Sequence, residues 1–183
     1  VYLKRAERIA ERSEGFPWLE LATTKLALAD HYIVAESYTR ARTVYSEAYE
    51  ILSAEEDRLE MRKELLGQPH PIGEKRLPAA TDGARSAGRR SSDSLSGSID
   101  ITYTVSPRGK ARIETIEASP REFVNMQRMV QREILRRVYR PQFEEDGAVR
   151  SSPQTFSHEF KYTRSELESL REQAEQEEAA EEA

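Results

Sequence analysis

Residues 98–118 read SIDITYTVSPRGKARIETIEA. Ile99, Ile101, Tyr103 and Val105 alternate with Asp100, Thr102 and Thr104, the period-two pattern of a strand with one buried face. Ser106-Pro107-Arg108-Gly109 then places proline second and glycine fourth, as a β-turn requires. A second strand is expected from about Lys110 to Ala118. Its alternation breaks, because Ile113 and Ile116 are an odd number of residues apart, and a bulge would bring both to one face. A sheet with one apolar face must be covered, so this hairpin sets the task for the residues around it.

Downstream comes a helix signal. Ser119, Pro120 and Glu122 fit N-cap, N1 and N3 of a capping box with a first-turn proline. Phe123, Met126, Val130, Ile134 and Val138 then recur every three or four residues, and Arg140-Pro141 should end the helix. Residues 144–153, with Glu144-Glu145-Asp146, Gly147 and Pro153, are expected as a charged loop. Gln154 to Tyr162 alternates again: Phe156, His158, Phe160 and Tyr162 share one face, with Thr155, Ser157, Glu159 and Lys161 on the other. The unit 98–162 thus reads β-β-α-β, a three-stranded antiparallel sheet backed by one helix. Residues 163–183 hold eight glutamates against two arginines and read as an acidic tail, a solvated helix that frays.

Upstream, residues 1–66 have helical spacing. Leu3, Ala6, Ile9 and Ala10 mark a helix over 2–13, punctuated by Gly15 and Pro17. Leu21, Ala22, Leu26, Ala29 and Ile33 keep a period near 3.6 from Trp18 to Val34, and Ala41, Val44, Tyr45, Ala48 and Leu52 do so from Tyr38 to Leu52. So short a connection makes the pair an antiparallel hairpin. Ser53 with Glu56 is a capping box for a further helix, ending at about Leu66 before Gly67, Pro69 and Pro71. Residues 67–97, rich in Pro, Gly and Ser, read as a flexible linker with a span of roughly 30 Å. The fold class is α+β in two units.

Two resemblances rest on these residues. Leu28, Ala29, Tyr32, Ala41, Tyr45, Ala48 and Ser53 stand at spacings that resemble the tetratricopeptide repeat, with Lys25 where an aromatic is usual and Ser53 where proline is usual. Ala6, 35 residues before Ala41, fits a preceding half-repeat, so more repeats are expected upstream. Residues 98–162 resemble the C-terminal domain of the TonB family of periplasmic energy transducers. The parts are Ile99–Val105, the Pro107-Arg108-Gly109 turn, Ala111–Ser119, the helix Phe123–Val138, Tyr139-Arg140-Pro141 and Thr155–Tyr162. Val138 stands where that family often has Trp, and the 144–153 loop is longer.

The second resemblance implies a role in the periplasm of the bacterial cell envelope, with any signal or anchor upstream. It implies binding of an outer-membrane transporter segment as an added strand, with Gln154, Thr155, Ser157, Glu159, Lys161, Tyr139, Arg140 and Pro141 as partner-binding residues. The repeats would bind another protein. A repeat scaffold whose C-terminal domain only homodimerises is one alternative. A phosphate- or RNA-binding module using the stripe Arg128, Arg132, Arg136 and Arg140 is another, and a solvated face is favoured over it.

Composition narrows the classes further. Cysteine is absent, which removes disulfides and thiol catalysis. The net charge of -5 lies mostly in the tail and argues against nucleic acid as the main partner. No stretch reaches the about 18 apolar residues of a membrane helix. His31, His70 and His158 lack metal spacing, and no catalytic order of Ser, His and Asp or phosphate-binding glycine loop is evident. No cofactor and no enzymatic activity are expected.

Overall fold

The structure, a computed structural model, describes Lys4, Arg5, Ile9 and residues 17–73 and 94–181. Lys4, Arg5 and Ile9 are helical; the rest of the helix expected over 2–13, with Ala6, and the middle of the expected linker lie outside the described residues. The fold is mixed α+β with antiparallel sheets. It divides into two compact units. The first gathers Val1–Glu74, Thr104–Arg112 and Arg137–Pro153; the second gathers Lys75–Tyr103, Ile113–Arg136 and Gln154–Ala183. The units are thus interleaved along the chain, whereas the sequence reading placed 1–66 and 98–162 in separate blocks.

In the first unit, α1 (Trp18–Val34) and α2 (Tyr38–Ser53) form the expected hairpin. Ala22, Ala29, Ala41 and Ala48 are completely buried, which lets the helices approach closely. Lys25 sinks its stem among them and ion-pairs with Glu47 at 2.7 Å. The turn is a Schellman cap. Ser37 N–H donates to the Tyr32 carbonyl at 2.8 Å, Glu36 N–H donates to Ile33 at 3.0 Å, and Glu36 takes the left-handed conformation with φ 56. The next helix does not start at Ser53. That residue closes α2, its hydroxyl donating to the Tyr49 carbonyl, and a 3-10 turn at Glu56–Arg58 leads into α3 (Leu59–Leu66).

Two short pairings complete this unit. The linker reading fails at 70–72: β1 (His70–Ile72) pairs antiparallel with β4 (Val138–Arg140). The helix expected to reach Val138 stops at Arg136, because Pro141 drives Arg140 into extended backbone and the main chain leaves the helix to join β1. The expected charged loop instead opens on a tight hairpin, β5 (Gln142–Glu144) with β6 (Gly147–Val149). Phe143 is the reason this segment folds: its ring is buried 5.8 Å from that of Tyr45 and 5.9 Å from that of Tyr49.

A half-buried polar cluster ties these parts together. Arg140 grips Asp30 of α1 with two donors, Nε to Oδ1 at 3.0 Å and Nη2 to Oδ2 at 2.7 Å. Nη1 donates to the Leu65 carbonyl of α3 at 3.2 Å. The Tyr45 hydroxyl of α2 donates to Asp30 Oδ1 at 2.6 Å. Burial, then the Asp30 carboxylate, push the Tyr45 phenol far up, so it stays a donor. Burial pulls the Arg140 guanidinium down, but Asp30 outweighs it and leaves it above its ordinary value.

In the second unit, β2 (Ser94–Val105) lies between β3 (Ala111–Ser119) and β7 (Gln154–Thr163) in one antiparallel sheet. The linker reading also ends early here, since Ser94–Gly97 are strand. Gly97 pairs with Phe160, and a Cβ on it would lie 2.6 Å from both the Phe160 ring and the Ser119 carbonyl oxygen. Along β3, burial changes phase at Glu114 and Thr115, both exposed, where the bulge was expected. Ser119 closes β3 instead of capping a helix; α4 begins only at Val124 and runs to Arg136. Ile99, Ile101, Val130, Ile134 and Phe160 are buried, and the Phe123 ring meets Phe160 and Tyr162 at 4.9 and 5.0 Å.

Two outcomes check this packing. Arg140→Ala leaves the largely withdrawn Asp30 carboxylate without its cation and is expected to cost about 3 kcal/mol, the low end for a buried pair, in urea unfolding. Asp30→Asn with Arg140→Gln should cost less than Arg140→Ala alone; additive losses would show that the two side chains act independently. Gly97→Val raises strand propensity yet should lose about 1–3 kcal/mol through overpacking. A gain in stability would rule out the close approach of Phe160.

Candidate peptide-binding edge

β7 ends the strand order β3-β2-β7, so one of its sides faces no further strand of this sheet. The burial along it alternates without a fault. Thr155, Ser157, Glu159 and Lys161 are exposed, while Phe156, His158 and Tyr162 are half-buried and Phe160 is buried. Inward cross-strand pairs are Phe156 with Ile101, His158 with Ile99, Phe160 with Gly97 and Tyr162 with Leu95.

The end of β7 reveals which main-chain groups point outward. Thr163 N–H donates to Glu166 Oε2 at 2.7 Å, and Glu166 N–H donates back to Thr163 Oγ1 at 3.3 Å. This capping box starts α5 (Arg164–Glu181), the expected acidic helix, which stays helical through its described length. Thr163 therefore does not give its N–H to Ser94 opposite. In an antiparallel ladder, residues that exchange both main-chain bonds alternate with residues that exchange none. The register runs unbroken from Ser94↔Thr163 to Tyr103↔Gln154. By parity Lys161, Glu159, Ser157 and Thr155 share the class of Thr163, and their N–H and C=O groups point away from β2. The four exposed side chains thus belong to the four residues that offer main-chain donors and acceptors at the edge.

Other expected site residues sit elsewhere. Gln154 is half-buried opposite Tyr103. Tyr139, 1% exposed, and Pro141 are interior residues of the first unit, and Arg140 is spent on Asp30 and Leu65. Tyr139 and Pro141 are enclosed and Arg140 is largely so, which places these three in the packing of the first unit rather than on an open surface. Arg140 also leaves the arginine stripe, which keeps Arg128, Arg132 and Arg136 on α4. A shallow groove of about 490 Å³ in the first unit is lined by Tyr49, Leu59, Arg62, Lys63, Gln142 and Phe143. Its charges are mixed, with Glu60 and Glu144 beside Arg62 and Lys63, which gives it no preference for one ligand sign.

Among the described residues no group of His, Asp and Glu is placed to hold a metal ion, and no helix is long and apolar enough to cross a membrane. The chain matches no family model, no curated protein and no solved structure. The sequence signal for this capping box is Thr163-x-x-Glu166 directly after an alternating run. Gly97 carried a weaker signal, a lone glycine extending the period-two pattern upstream of Ile99.

His158 faces the sheet's covered side, and burial holds its imidazole below the ordinary value of 6.5. The unfolded chain therefore binds a proton near pH 6.5 that the folded chain refuses. Stability is full above that pH and declines as pH falls below it, until the folded imidazole itself titrates. His158→Phe should flatten this decline in unfolding midpoints measured from pH 7.5 to 5; an unchanged slope would assign it to other groups.

Proposed function

We propose that this chain is a non-catalytic binding component of envelope transport, similar to TonB-type transducers, which takes up an extended segment of an outer-membrane transporter along β7. The observation that supports this reading most is the coincidence on Thr155, Ser157, Glu159 and Lys161 of exposed side chains with main-chain groups directed out of the sheet. An incoming strand gains a ladder of main-chain bonds there and is selected by the alternating side chains. Its periplasmic setting rests on the resemblance of 98–162 to the TonB C-terminal domain. The helical hairpin α1–α2, with its tetratricopeptide-like spacing, serves a second protein contact. Phe143, Val138 and Ala148 already pack on its apolar core, so that contact uses the outer, polar helix surface.

The test is a titration of isotope-labelled full chain with peptides from transporter N-terminal segments. Amide shifts should fall on residues 155–161. Ser157→Pro removes an outward N–H and leaves the β2 ladder whole, so it should fold with an unchanged midpoint and bind at least 10-fold more weakly. His158→Pro removes an inward N–H and should unfold the sheet. Shifts confined to α1 and α2, or Ser157→Pro binding as tightly as the parent, would overturn the assignment.

A further inference from the structure

The arginine stripe and the acidic helix both lie in the second unit, and the strand-edge reading uses neither. On α4, Val124, Arg128, Gln131 and Leu135 follow one another at helical spacings of four, three and four, a single row along the helix. Val124 and Leu135, at its two ends, are 43% and 44% exposed, although both are large and apolar. Arg132 and Arg136 flank the row and are exposed with Arg128. This is a helix face with apolar ends and a cationic centre, and among the described residues nothing covers it.

α5 has the opposite character. Leu167 and Leu170 are half-buried and Arg171 Nε donates to Glu122 Oε1 at 2.6 Å, so the first two turns are held in place. Beyond this tether, Glu172 to Gln176 are all exposed. Glu168, Glu172 and Glu175 form a row at spacings of four and three. With a rise of about 1.5 Å per residue, the Arg128–Arg132–Arg136 row repeats roughly every 6 Å and the three glutamates follow at roughly 6 and 4.5 Å, a mismatch that long flexible side chains can span. The exposure of both rows within one chain shows that α5 does not fold back onto its own α4.

We propose that a second copy of this chain lays the outer half of its α5 on this row of α4, and receives the same contact in return. Each chain carries both halves of the complement, which is the condition for a closed two-fold dimer. Carboxylates of Glu172 and Glu175 pair with Arg128 and Arg132, and Leu135 and Val124 lose water beneath the incoming helix. Ion pairs at such an exposed contact are individually weak, so the dimer is held by their number and is screened by salt.

Sedimentation of the full chain tests this. The parent should be dimeric at ionic strength on the order of 0.05 M and dissociate at least 10-fold more readily at about 0.5 M. Arg128→Glu/Arg132→Glu should be monomeric at low salt, as should Glu172→Arg/Glu175→Arg. An equal mixture of the two should form heterodimers, and the chain with all four substitutions should dimerise again. All act on exposed side chains and should keep the parent's unfolding midpoint. A parent that stays monomeric at low salt, or a dimer indifferent to these reversals, would overturn the proposal. A dimer abolished by Ser157→Pro alone would place self-association on β7 instead, and would count against both this contact and a vacant edge.

Discussion

The side chain of Asp30 keeps only 15% of its exposure in a helical hairpin, and a carboxylate so far withdrawn from water needs to be paired and hydrogen-bonded. Here the cation comes from 110 positions downstream, on a short strand whose Val138 also packs against the helical core. Once Arg140 is fixed on Asp30, its neighbours follow. Tyr139 accepts a position where its N–H donates to the Gly109 carbonyl at 3.0 Å, and Phe143 packs against Tyr45 and Tyr49 of α2. The turn at Gly109 must then be a glycine: its φ is 71, and a Cβ there would stand 2.2 Å from the Tyr139 carbonyl oxygen. This ion pair, together with the apolar contacts of Phe143 and Val138, accounts for why the helical unit also includes a hairpin tip and the segment 137–153.

Periodicity reported what depends on neighbours in sequence. The hairpin of Trp18–Val34 and Tyr38–Ser53, the strand of Ile99 to Val105 and the alternation of 154–163 were all legible, because each buries one face of a regular element. Pairings between distant segments were not. Nothing in His70-Pro71-Ile72 announces a strand: it pairs with 138–140 only because Arg140 has already brought that segment to the helices. Phe143 stands just before the Glu144-Glu145-Asp146 run of the expected loop, and a single aromatic has no period. Ser119-Pro120-x-Glu122 was a complete capping signal, yet strand pairing kept Ser119 and the Glu122 carboxylate went to Arg171. Tertiary partners overrode local signals at each of these places.

An edge strand is a hazard as well as a site. Charged side chains on such a strand discourage indiscriminate pairing, and Glu159 with Lys161 serves that end. Opposite signs two residues apart also impose a pattern on any strand that does pair, since like charges directly opposite are unfavourable. The same two residues therefore act as a filter in either case. Thr163 adds a boundary. Its N–H is committed to Glu166, so the ladder of outward groups cannot extend past Lys161 into α5, and a strand added along this edge is confined to the 155–161 stretch.

The resemblance to the TonB C-terminal domain now divides into parts of unequal weight. Tyr139-Arg140-Pro141 was its most specific motif, and it is used up inside the first unit: two of its residues are interior and the third neutralises Asp30. Internal packing alone is a sufficient cause for those three side chains, so they lend no force to a shared mode of binding. The strand order β3-β2-β7 and the outward groups of β7 are of another kind. Packing of the second unit explains Phe156, Phe160 and Tyr162, but it makes no demand on Thr155, Ser157, Glu159 or Lys161, which touch none of its core. It is on residues that folding leaves unexplained that a binding role has to stand. In this chain those residues lie along β7 and on the outer faces of α4 and α5.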